Sequence, residues 1–133
     1  MPNASRRLIS PETLHPSPGY SHIAAASGST VVFLAGQVAL ERDFSIVGAT
    51  DLAAQTRRAM QNVGAALNEV GADWGDVVRR TIYTTRPTEF ETIAAAIDEV
   101  TGGGPQPAQT IVGVTGLALP GLLIEIEVTA VVA

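Results

Sequence analysis

The apolar and polar positions of this chain sort into short strands and two amphipathic helices. The most regular stretch lies near the C-terminus, where Leu122 to Thr129 reads L-L-I-E-I-E-V-T, an alternation of period two. Leu122, Ile124, Ile126 and Val128 share one face, and Leu123, Glu125, Glu127 and Thr129 share the other, so a strand is predicted over Leu122–Val132. Its two carboxylates fall on one side, roughly 7 Å apart at two residues' rise. Taken alone, this alternation favours a solvated sheet face, which needs no chemistry.

Upstream, residues 1–21 are rich in proline and serine and read as an extended lead-in. His22–Ser27 and Thr30–Ala35 read as two short strands joined by a Ser27-Gly28-Ser29 turn. Gly36-Gln37-Val38 carries the second onward, its glycine permitting a bulge or a close backbone approach. Glu41–Gly48 is a polar loop. Thr50 or Asp51 is expected to cap a helix running to about Val70, with Gly71 as its stop. The apolar stripe of that helix is Leu52, Ala59, Met60, Val63, Ala66, Leu67 and Val70. Asp73–Asp76 is a turn anchored by Trp74, and Val77–Thr85, dense in β-branched residues, is a strand. Thr88 and Glu91 have the spacing of a capping box for a second helix that buries Phe90, Ile93, Ile97 and Val100. It breaks at Gly102-Gly103-Gly104-Pro105, and Ala108–Val114 precedes the final strand. The order β-β-α-β-α-β-β, without internal repeats, predicts a single α+β domain over residues 1–133. Two helices would cover one sheet face, leaving the other to a partner or to water.

Composition favours a partner. The chain is 46% hydrophobic and only 16% charged, with a mean hydropathy of +0.25, apolar for a small domain that exposes its whole surface. No apolar run is long enough to cross a membrane. Arg6 and Arg7 are followed by Pro11, His15, Pro16 and Pro18 rather than an apolar segment, so no secretory signal is expected and the expected location is cytoplasmic. A net charge of −5 argues against nucleic acid as a partner. Neither Arg57-Arg58 nor Arg79-Arg80 concentrates charge, because neighbours diverge on a helix and on a strand alike.

The catalytic menu is short. Cysteine is absent, which removes disulfides, thiolate ligands and a thiol nucleophile. All eight basic residues are arginine, which removes Schiff-base chemistry and a phosphate-loop lysine. Histidine occurs only at His15 and His22, and no acidic cluster has ligand spacing, so neither a metal nor a cofactor is expected.

Several short pieces, in order, resemble the RidA family (YjgF/YER057c-like, formerly endoribonuclease L-PSP). They are Pro18-Gly19-Tyr20-Ser21-His22, Leu34-Ala35-Gly36-Gln37, Gln55 and Asn62 in the first helix, and Gly71-Ala72 ahead of Asp76-Val77-Val78. Pro107-Ala108-Gln109-Thr110 and Ile124-Glu125-Ile126-Glu127 complete the set. The likeness spans about Ser17 to Val132, leaving residues 1–16 as an N-terminal lead-in. It implies a chorismate-mutase-like sandwich that assembles as a homotrimer around a central barrel, with small-molecule clefts between subunits. It also implies hydrolysis of reactive enamines and imines to keto acids and ammonia. In that scheme an arginine at the position of Gln109 clamps the substrate carboxylate, and the first glutamate of the pair, Glu125 here, handles water. Tyr20 and a small polar residue at the position of Ala35, ahead of Gly36, line the cleft.

The chain departs from that pattern at three positions, with Gln109 for the arginine, Ala35 for the small polar residue and Ala94 for an asparagine of the second helix. The first matters most. Arginine offers a charged bidentate fork, and glutamine a neutral amide, a loss worth about tenfold to a few hundredfold in affinity for a carboxylate. A neutral or amide-bearing ligand suits Gln109 better, since both its carbonyl and its NH₂ could pair. Arg86 or Arg42 could return a positive charge from a loop. Tyr20 could cap the cleft or simply pack, His22 reads as a strand-edge residue, and Glu127 as structural or interfacial. The expectation is a deaminase or hydrolase of altered specificity, with Glu125 handling water and Gln109, Tyr20, Ala35 and Gly36 around the ligand. The alternative is a non-catalytic trimer that binds a metabolite in the same clefts. Endoribonuclease activity fits an acidic, lysine-free chain badly.

Overall fold

The computed structural model describes residues 5–133. Along the chain run β1 (Ser5–Ile9), β2 (Ile23–Ser27), β3 (Thr30–Phe33), α1 (Leu52–Glu69), β4 (Val77–Thr84), α2 (Phe90–Thr101), β5 (Ala108–Gly113) and β6 (Ile124–Val132). A single 3₁₀ turn, Trp74–Asp76, leads into β4. Four strands form a mixed sheet in the order β3-β6-β4-β5. In it β6 is antiparallel to β3 and β4, and β4 is parallel to β5 across the α2 crossover.

The alternation of β6 organises this sheet. Ile124, Ile126, Val128 and Ala130 are buried and meet Leu52, Ala59, Met60, Val63 and Leu67 of α1, with Ile93 and Ile97 of α2. Both helices therefore lie on one face, and the α+β, chorismate-mutase-like architecture follows. Asp51 caps α1, its carboxylate accepting from the Ala54 N–H at 3.0 Å, and Gly71 stands in the left-handed region just beyond it.

Five details differ from the sequence expectation. The lead-in is partly a strand: β1 pairs antiparallel with β2, Ser5 opposite Ser27 and Ile9 opposite Ile23. Consequently β2 and β3 are not partners, since β3 pairs with β6 instead. Residues 36–38 do not continue β3 as a regular strand, but return to β6 by one bridge, Gln37 to Ile126. The capping box of α2 does not form, because the helix starts at Phe90 with Glu89 as an unbonded cap. The reciprocal cap is made instead by Asp73 and Asp76. Finally, Phe90 and Val70 are largely exposed, and α1 buries Gln55 and Thr56 in their place.

One irregularity carries chemical weight. The β4–β6 register shifts between Val77 and Arg79, and an extra residue there reverses which side chains face inward. Val77 is buried, and so are Arg80, Ile82 and Thr84, while Arg79 stays exposed. The shift thus turns an arginine into the core.

Candidate active site

The expected site residues fall into two groups on opposite faces of the sheet. The first surrounds Glu125. After β3 the chain stays alongside β6, with Leu34 N–H donating to Val128 O at 3.1 Å and Gln37 N–H to Ile126 O at 2.7 Å. Gly36 is held between these contacts, opposite Glu125. A Cβ at residue 36 would fall onto the Glu125 carboxylate and lie 2.7 Å from its Cγ, so only glycine leaves room for that side chain. Ala35 is exposed, and its carbonyl accepts from Gln37 Nε2 at 3.1 Å. Glu125 is half-buried and makes no hydrogen bond or ion pair among the described residues.

Its neighbour Glu127 behaves differently. The Tyr83 hydroxyl donates to Glu127 Oε1 at 2.7 Å, and this bond is the leading cause that raises the phenol pKa above its usual value. Among the described residues Glu127 is engaged and Glu125 is free.

The second group lies on the helix side. Gln109 of β5 lines a cavity of about 450 Å³ with Tyr20, His15, Phe90, Ala94 and Ile111. The Tyr20 segment is tied to the start of β5: Ser21 N–H donates to Pro107 O at 3.0 Å, and Ser21 Oγ to Gln106 O at 2.7 Å. Gly19 holds a positive φ of 76°, and a Cβ there would come within 3.3 Å of Ala94. His22 packs edge-on against Tyr20 with ring centroids 5.5 Å apart, and its Nε2 donates to His15 O at 2.8 Å. His22 thus braces the Tyr20 segment, in keeping with a strand-edge role.

Sequence reasoning missed Arg80. It stands beside Gln109 in the parallel register, is 2% exposed, and its Nε donates to Gln109 Oε1 at 2.6 Å. Nη1 donates to Gln106 Oε1 at 2.7 Å and Nη2 to Gly19 O at 3.3 Å. Burial pushes its pKa down to about 10, against the attraction of Asp98, so it remains a cation at neutral pH. The carbonyl of Gln109 keeps one lone pair beside this bond, so the NH₂ is its freer group towards a ligand. The positive charge near residue 109 comes from β4, not from either loop arginine: Arg86 pairs with Glu89 at 3.8 Å, and Arg42 is exposed. The only signal in the sequence was an arginine inside a β-branched run, and the register shift that buries it has no local signature. No group of three or more potential ligand side chains that could hold a metal occurs among the described residues.

Residues 11–132 match the family described as Endoribonuclease L-PSP, which covers both groups of residues. The chain belongs to the RidA/YjgF family. Its relatives include a RutC family protein, slr0709, of Synechocystis, 31% identical over 113 residues, covering 84% of this chain and 85% of that protein. Protein DfrA of Myxococcus xanthus is 35% identical over 116 residues, covering 84% of each. Among solved structures, the Rid-family protein YyfB of Yersinia pestis superposes with a TM-score of 0.88 at 40% identity, covering 95% of this chain and 98% of that one. No helix among the described residues is long and apolar enough to cross a membrane.

Proposed function

We propose that this protein is a cytoplasmic, cofactor-independent hydrolase of small enamine- or imine-type metabolites. It works in clefts between the subunits of a homotrimer, with a specificity altered at Gln109. The observation that carries the reading is the Glu125 carboxylate, lodged against Gly36, half-buried and without a partner among the described residues. A carboxylate in that state can accept and return protons.

Hydrolysis of an imine adds water across a C=N bond. Glu125 takes a proton from water as the oxygen bonds to the imine carbon, and passes it to the nitrogen. The same carboxylate then carries the hydroxyl proton to the nitrogen as the C–N bond breaks, and ammonia and a carbonyl compound leave. Gln109 and Tyr20 hold the ligand from the neighbouring subunit. An assembly is needed because Gln109 shares the helix side of the sheet with Arg80, whereas Glu125 points to the other side. Val31 and Phe33, 53% and 78% exposed, supply apolar surface for such an assembly on that outer side.

The test is ammonia release from 2-aminoacrylate or 2-iminopropionate. Wild type is expected to turn these over, and Glu125→Gln to lower kcat by about 10²–10⁴-fold with little change in KM. A folded Glu125→Gln variant with wild-type turnover would overturn the role of Glu125. Wild type that binds but never turns over would leave a metabolite-binding trimer instead.

A further inference from the structure

We propose that Arg80 is the specificity-determining cation of the ligand cleft, acting through Gln109, whose amide it holds so that the NH₂ faces the ligand. This rests on reading the cavity around Gln109 as the ligand site, and it names the chemistry that site takes: an anionic or carbonyl oxygen.

The orientation of a glutamine amide is ordinarily open, since its oxygen and nitrogen look alike. Here it is fixed by chemistry. A guanidinium only donates, so the atom 2.6 Å from Arg80 Nε must be the Gln109 oxygen. The Gln109 NH₂ then has no partner among the described residues, and the residue lines the cavity of about 450 Å³. The cleft therefore meets its ligand with a donor. Ligand groups that accept at that place are favoured over groups that present N–H.

Arg80 also brings its charge. All three of its nitrogens rest on neutral oxygens, from Gln109, Gln106 and Gly19. None of the ion pairs among the described residues includes it. The carboxylate that attracts it, Asp98, lies beyond Gln106, which donates to Asp98 Oδ1 at 3.4 Å. A buried cation without a directly paired carboxylate is costly, and an anion entering the neighbouring cavity relieves that cost. The bond to Gln109 polarises the amide so that its NH₂ becomes a stronger donor. Through Gly19 O the same guanidinium holds the Tyr20 segment. The guanidinium has thus not vanished from the cleft; it stands one strand away and works through an amide.

Binding of 2-oxopentanoate and of its methyl ester to the full-length protein, followed by calorimetry, tests this. Wild type is expected to prefer the anion by about tenfold or more, the scale of one charge-assisted contact. In Arg80→Met the preference should fall towards one. A folded Arg80→Met protein with the wild-type ratio overturns the proposal. Because that variant leaves three acceptors unpaired and could fail to fold, Gln109→Glu provides an independent arm. Its carboxylate pairs with Arg80, so thermal stability should hold or rise. The donor and the free charge both disappear, so both probes should bind at least about tenfold more weakly. Unchanged affinity in Gln109→Glu, or wild type that binds neither probe, also overturns it. Wild type that binds with the stated preference but hydrolyses no imine removes the hydrolase reading and leaves this one standing.

Discussion

A methyl group at residue 36 would compete for space with the Glu125 carboxylate, and this gives a test of one residue by its neighbour. Gly36 does not lie in the left-handed region, so the backbone itself tolerates a side chain there. Gly36→Ala should therefore cost only about 1–3 kcal/mol of stability, the usual scale of local overpacking. Turnover should fall nearly as far as in Glu125→Gln, because the carboxylate is displaced. Thermal melting and the ammonia assay together check this, and full activity in Gly36→Ala would mean that Glu125 does not need its slot. At this scale the sequence was informative where spacing is local. Alternation placed Glu125 and Glu127 on one face, and the glycine ahead of Gln37 marked a bulge or a close backbone approach. It was silent on Arg80, since the two arginines of β4 look alike until the register shift sends one outward and the other into the core. Glu125 was told from Glu127 only through the family resemblance, because the physical difference depends on Tyr83, a cross-strand neighbour.

Among the elements, α1 is joined to the approach to β6 by one buried side chain. Gln55 Nε2 donates to Gly121 O at 2.9 Å and Gly48 O at 3.3 Å, while its Oε1 accepts from Leu123 N–H at 2.8 Å. Gln55→Leu keeps the bulk and strands Gly121 O and the Leu123 N–H, since Gly48 O keeps the Asp51 N–H at 3.0 Å, at about 1–3 kcal/mol for each buried group left unmade. A loss of about 2–4 kcal/mol in urea unfolding is the expected outcome. A change near zero would mean that water replaces the amide. The helices were legible because their signals are local: the Asp51 cap, the apolar stripe, and a glycine after each end. Strand partners were not. β1 carries two arginines among its five residues and gains its order by pairing with β2, more than a dozen residues away. The Thr88 box failed because Phe90, not Glu89, opens the helix, which puts Thr88 one residue too early to cap it.

For the whole molecule, the two groups of residues stand on opposite faces of the sheet, and a second subunit would bring them together. Gln109 and Arg80 sit with the helices, and Glu125 sits with Phe33 and Val31 on the outer side. If the cleft takes Gln109 from one subunit and Glu125 from the next, damage to either residue should be repairable in trans. Glu125→Gln and Gln109→Glu are each expected to be nearly inactive alone. Co-expressed in equal amounts and assembled together, they should regain activity. In a closed head-to-tail ring of three, a mixed ring holds one cleft that draws both an intact Gln109 and an intact Glu125, so about a third of the clefts in mixed rings should work. Separately tagged chains, purified through both tags, would isolate the mixed rings for the ammonia assay. Activity near that fraction would establish a cleft shared between subunits. Mixed rings as inactive as their parents would mean that each chain uses both residues from itself. That result would overturn the shared cleft.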